Sequence, residues 1–263
     1  FAVISIGVAA RLWAATKGHS FDFDLWVTVA DIYNQGGNVY IETPHYVYGP
    51  IWFLIVGILG QIARLFPDSA LAFRYILSCF LTLVDIGIFF VLRRKFGPIA
   101  AVLFFLNPIS IVISGYHVQV DNIAILLGSW AMELWGGQSG TRLNMRKCAG
   151  LAILGLSITT KHILFALPLW LAVKQKGFAQ KIVILALPTG LFLLSFLPFW
   201  QMGQQGIIQN VFLYPSWDNG IFWNYLPGFI RLMVDRDTLF LLSISLFAVV
   251  FRMKSPLDSL LLY

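Results

Sequence analysis

The sequence predicts an all-α fold, a polytopic bundle of transmembrane helices, on three observations. First, hydrophobic residues make up 59% of the chain and charged residues only 11%, at a mean hydropathy of +0.80. Within 263 residues a water-soluble core cannot hide that much apolar surface, so the surplus must face lipid. Second, long apolar runs recur along the chain, separated by short polar gaps, the pattern of successive membrane helices. Third, the basic residues gather in those gaps: Arg93, Arg94 and Lys95; Arg142, Arg146 and Lys147; Lys174, Lys176 and Lys181; Arg252 and Lys254. That placement marks cytoplasmic loops under the positive-inside rule. The formal charge of +6 is therefore topological, and nucleic acid is not an expected partner.

Each element follows from this scheme. The first run exits the cytoplasm, so the loop 16–48 is external. Within it, Leu25, Trp26, Val29, Ile32 and Tyr33 repeat at helical spacing while Asp24, Thr28, Asp31 and Gln35 line the other side, which predicts an amphipathic helix over 24–35 lying at the membrane surface. The run 51–66 follows Pro50, a residue suited to the first turn of a helix, and takes a tilted or interfacial role. The run 70–92 then spans inward to Arg93. The run 97–115 goes out, "GYHVQVD" (115–121) is external, and 122–135 returns. Between Lys147 and Lys174 the stretch has two cytoplasmic ends and "TTKH" (159–162) in its middle, so it reads as a hairpin. Its arms are roughly a dozen residues each, about 18 Å of helix against a hydrocarbon core of about 30 Å, which sinks the turn into the bilayer. The run 182–201 leads to a long external loop, 202–236, and 238–251 comes back. The chain is one membrane module, 1–263, and its opening on Phe1 inside an apolar run suggests a piece of a longer protein. Cys79 and Cys148 stand far apart and form neither a disulfide framework nor a metal-ligand spacing.

Polar residues of interest collect on the external side. Asp22 lies just before the amphipathic helix, where it either aims inward or caps free N–H groups. Asp24 belongs to the polar stripe, and on a helix the two aspartates point apart. They can share a divalent ion only if residues 20–24 are extended, and no metal ligand set is otherwise assigned. Lys161 stands in the turn of the membrane hairpin, beside His162. A cation at such depth is costly, faces a polar cavity or partner, and suits an anionic group arriving from lipid; a snorkelling lysine is the plainer reading. His117 and Asp121 are four apart and share a helical face if the loop coils there. Arg74 and Asp85, inside the run 70–92, anchor helix packing. The loop "NVFLYPSWDNGIFWNYLPGF" (210–229), with Trp217 and Asp218, alternates rings with amides, as suits sugar stacking or an interfacial aromatic belt.

Five stretches occur in order: "FDFD", "HYVYGP", "FRYILSCFLTLVD", "LNPISIVISGYHVQVDN" and "TTKHILFALP". This order resembles the GT-C membrane glycosyltransferases, especially the lipid-linked oligosaccharide glucosyltransferases and GPI mannosyltransferase I, with their bacterial relatives. The resemblance covers roughly residues 11 to 230. It implies a GT-C type helical bundle that moves mannose or glucose from a polyprenyl- or dolichyl-phosphate sugar to a hydroxyl of a glycan or glycolipid acceptor. The transfer would invert the sugar, on the non-cytoplasmic face of an endoplasmic reticulum or bacterial cell membrane. The family's acidic pair matches Asp22 and Asp24, as catalytic base or acceptor-binding carboxylates. Its cationic "K-x-x-x-x-x-x-P" stretch matches Lys161 through Pro168, placing Lys161, with His162, at the donor phosphate. Substrate contacts are expected from His45, His117, Gln119, Asp121, Trp217 and Asp218. The family's "G-H-x-Q" loop appears here with Tyr116 inserted before His117, and its later external loop, which often contributes a histidine, lies largely beyond residue 263 or has no histidine here. The rival reading is a transporter or flippase for a lipid-linked or anionic solute, with Lys161 at its binding site.

Overall fold

The computed structural model describes residues 2–136 and 143–214. Among them the fold is all-helical, without a strand. Among the described residues two helices are long and apolar enough to cross a membrane: α5 (Ser69–Phe96) and α11 (Phe178–Ser195). A third candidate is a broken span made of α6 (Pro98–Phe105) and the pair α7 (Pro108–Val112) with a π turn (Ile113–His117), bent by 49°. The sequence reading took 97–115 as one run. The break comes at Asn107, whose side chain accepts from the Ile109 N–H, and at Pro108, which has no N–H to continue the preceding helix.

The remaining helices are shorter. They are α1 (Ala2–Ala15), α2 (Phe21–Asn34), α3 (Val39–Glu42), α4 (Pro50–Ala63), α8 (Asp121–Trp135), α9 (Met145–Thr160), α10 (Leu167–Val173) and α12 (Leu197–Gly206). Local sequence sets their ends. Asp68 accepts from Leu71 N–H at the start of α5, and Asn144 accepts from Lys147 N–H at the start of α9, each satisfying an N–H that the first turn leaves free. Gly97, at φ +89°, and Gly136, at φ +75°, adopt the left-handed backbone that turns the chain after α5 and α8.

Cross-contacts give the directions. Asp85 lies beside Asn122, Gly87 beside Leu126 and Lys95 beside Glu133, so α5 and α8 run parallel. Arg146 meets Glu133, Ser157 meets Ala124 and Lys161 meets Asp121, so α9 runs antiparallel to α8. Gly155 packs on Pro188 and Leu191 of α11. After α11, Phe196 packs on Tyr40, whose hydroxyl donates to the Tyr48 carbonyl; Tyr48 in turn lies under Lys161. Both α9 and α11 therefore finish near Lys161, and residues 162–177 must carry the chain back between them. That is the hairpin read from the sequence, broken at Lys161 and followed by a 3-10 turn (His162–Leu164).

The amphipathic helix begins at Phe21, three residues before the expected start, and buries Phe23, Leu25, Trp26, Val29 and Ile32. It packs against α4, where Gly57 and Gly60 admit Tyr33 and Ala30. Helix α4, at 14 residues, is about 21 Å long. Phe23 also stacks on Phe73 of α5, so α2 and α4 wrap the N-terminal half of that helix.

Candidate active site

Asp22 sits inside the first turn of α2 rather than ahead of it, which corrects the capping alternative. Gln119 Nε2 donates to Asp22 Oδ2 at 2.6 Å and Ser20 Oγ at 3.2 Å, while His117 Nδ1 stands 4.0 Å from the same oxygen. Both hydrogen bonds address Oδ2, and among the described residues Oδ1 takes none. Asp24 points elsewhere. Its Oδ1 lies 2.9 Å from His19 Nε2 and its side chain is 62% exposed. With residues 21–24 helical, the condition for Asp22 and Asp24 to share an ion is not met.

Lys161 caps α9 in extended backbone, and its Nζ lies 2.7 Å from Asp121 Oδ1 and 2.8 Å from Oδ2. The lysine read as waiting for a phosphate is thus already paired with a carboxylate. His117 and Asp121 do not share a helical face: the π turn ends at His117, and Val118 takes a left-handed φ of 51° before α8 begins at Asp121. This conformation is strained for a β-branched residue. It is held by the Trp26 Nε1–H, which donates to the Val118 carbonyl at 3.1 Å, and by burial of the valine. The kink sends Gln119 to Asp22 and Asp121 to Lys161.

Beside Lys161 stands Tyr48, in the strap 43–49. Lys161 Nζ lies 5.2 Å from its ring centroid, and the ring packs on Trp26 and Tyr46. Burial pushes its phenol up, and the charges of Asp121 and Asp22 push it further, so both carboxylates act on one ring. The strap is pinned at Gly49, where an added Cβ would collide with the Thr159 carbonyl. His45 stacks edge-on against Phe21, at 5.8 Å between ring centroids. His162 starts the 3-10 turn with its Nδ1 buried and unpartnered among the described residues. Trp217 and Asp218 lie outside the described residues. Among the described residues no three His, Cys, Asp or Glu side chains converge as a metal ligand set.

Sequence reasoning missed the support beneath this site. Arg11 is fully buried, with Nε 2.8 Å from Asp85 Oδ2 and further bonds to the Gly7 and Phe105 carbonyls and to Ser110 Oγ. Asp85 also accepts from Ser114 Oγ and Asn122 Nδ2, the residues that flank the turn 115–121. Arg74, read together with Asp85 as a packing anchor, makes no such bond: its Nε and Nη2 are buried without partners. The signal for Arg11 was a lone charge inside "AVISIGVAARLWAA", which in hydrocarbon demands an acidic partner.

Comparison with protein families, curated proteins and solved structures gives no match for this chain.

Proposed function

We propose that the chain is an integral-membrane, inverting hexosyltransferase of GT-C type. It moves mannose or glucose from a polyprenyl- or dolichyl-phosphate sugar to an acceptor hydroxyl on the non-cytoplasmic face. The observation that carries this reading is that Gln119, bonded to Asp22, and Asp121, bonded to Lys161, stand two residues apart on one stretch of chain. A proton acceptor and a cation able to meet a leaving phosphate are what the reaction needs in one place.

In this reading Asp22 Oδ1 takes the acceptor's hydroxyl proton while Gln119 and Ser20 hold the carboxylate through Oδ2. The acceptor oxygen bonds to the anomeric carbon as the bond from that carbon to the phosphate oxygen breaks. The polyprenyl phosphate departs with the electron pair, and Lys161 faces the charge that grows on it. Asp121 fixes the lysine, accepting from its Nζ. In this reading His45 and His117 contact substrate, and His162 helps Lys161 at the donor phosphate. The sequence shows no inverted repeat of the kind that frames a transporter's site.

The test is transfer of radiolabelled mannose or glucose from polyprenyl phosphate to membrane acceptors. Asp22→Asn is expected to lower transfer about 10²- to 10⁴-fold, the range of lost general-base catalysis. Undiminished transfer removes Asp22 from the mechanism. No transfer by the wild-type chain with any polyprenyl donor overturns the reading in favour of the transporter.

A further inference from the structure

A second polar pocket lies away from Asp22 and Lys161, where α5 and α8 end and α9 begins. It encloses about 290 Å³ and is lined by Arg94, Lys95, Trp130, Glu133, Arg146 and Ile153. Glu133 is about 18 Å along α8 from Asp121, and Arg146 about 22 Å along α9 from Lys161, so this is the opposite end of the same bundle.

Its charges do not close on themselves. Three cations face one carboxylate. Lys95 Nζ stands 3.6 Å from Glu133 Oε1, too long for a hydrogen bond, and that oxygen is buried without a donor. Arg146 Nη2 donates to the Glu133 carbonyl at 3.1 Å, which holds its guanidinium across the opening. Arg94 makes no ion pair or hydrogen bond among the described residues. The first turn of α9, the positive end of its dipole, begins at Met145 next to Arg146. The wall is partly apolar: Trp130, Leu134 and Ile153 line it, Trp130 is 45% exposed, and tryptophan favours the boundary of lipid and water.

We propose that this pocket binds the headgroup of an anionic phospholipid. Arg94 and Arg146 hold the phosphate diester, and a headgroup hydroxyl donates to the Glu133 carboxylate. Guanidinium groups pair with phosphate in a planar, two-pronged geometry, and basic pockets between membrane helices are known seats for lipid phosphates. The Trp130 and Ile153 wall selects a lipid over a free phosphate, because it gives the glycerol backbone and acyl chains an apolar exit. A serine headgroup, which adds a second carboxylate near Glu133, fits less well than a glycerol headgroup.

The test is native mass spectrometry of the purified full chain in neutral detergent, titrated with phosphatidylglycerol or phosphatidylcholine. Phosphatidylglycerol is expected to bind at least about tenfold more tightly, the scale of one charge-assisted contact, and added salt should narrow the gap. Arg94→Gln with Arg146→Gln is expected to abolish the preference, while Arg64→Gln, remote from the pocket, leaves it intact. Equal affinity for the two lipids in the wild-type chain overturns the proposal without needing any variant. So does an unchanged preference in the double variant. Competition by soluble glycerol phosphate at the lipid's own concentration assigns the pocket to a free phosphate and overturns the lipid. None of these outcomes depends on sugar transfer at the other end.

Discussion

At the scale of single residues, the fold rests on where it places a few charges. Arg11 and Asp85 are both fully buried, and taking either partner away leaves an uncompensated charge in an apolar interior. Asp85→Ala also orphans Ser114 and Asn122, the two flanks of the turn that carries Gln119 and Asp121. It is expected to cost about 3–5 kcal/mol, read as a lowered thermal midpoint in detergent. Arg11→Leu added to Asp85→Ala should recover most of the loss, because no charge then remains buried. A double variant as unstable as the single would mean that the pair does not act as a unit. Asp22 and Lys161 were legible in the sequence, because a charge in a hydrocarbon-rich chain has to be explained. Their partners were not. Asp121 is forty positions from Lys161 and Gln119 ninety-seven from Asp22, and only the packing of α2, α8 and α9 brings them together.

At the scale of elements, the strap between α3 and α4 closes the site with rings rather than charges. Tyr40 packs on Tyr46, Tyr46 on Tyr48, and Tyr48 on Trp26. The Tyr46 hydroxyl donates to the Gly49 carbonyl at 2.8 Å and accepts from the Phe53 N–H at 2.9 Å. Burial pushes all three phenols well above the usual 10.0. For an acid held protonated in this way, the stabilisation is complete below pH 10.0, where the unfolded chain is protonated too. It is lost as pH rises above that value toward the folded-state values, because the unfolded chain gives up its protons first. The fold is expected to hold to about pH 10 and then unfold cooperatively, with tyrosinate absorbance rising in step with the loss of helical circular dichroism. Free ionisation of these rings in an intact helical protein would mean that the strap is open. The sequence read the aromatic stretch "HYVYGP" only as a motif, since a ring run gives no periodicity to say which neighbours it faces. It also missed the bend at Asn107, where apolar residues continue on both sides and hydropathy hides the break. The hairpin at Lys161 was legible, because basic residues at both ends of one apolar stretch require the chain to turn back.

At the scale of the whole molecule, the charge pattern and the helix directions agree on two faces. Lys95, Arg146 and Glu133 meet at one end of the parallel helices α5 and α8; Lys161 and Asp121 meet at the other end of α8 and α9. Helix α9 has 16 residues, about 24 Å, less than a hydrocarbon core of about 30 Å. If its basic start sits at the inner boundary, Lys161 lies several ångströms below the outer one. In the proposed reaction the donor phosphate would meet it there, still carried on its lipid. In the proposed topology exposed Gln35, at the end of α2, lies on the outer side, and exposed Lys176, between α10 and α11, on the basic side. In a chain with Cys79→Ser and Cys148→Ser, Gln35→Cys and Lys176→Cys should react with a membrane-impermeant maleimide from opposite sides of sealed vesicles. Each should be protected until detergent is added when the reagent is on the wrong side. Labelling of both from one side would put the Lys161 site and the basic pocket on the same surface, and the membrane placement of the bundle would fail with it.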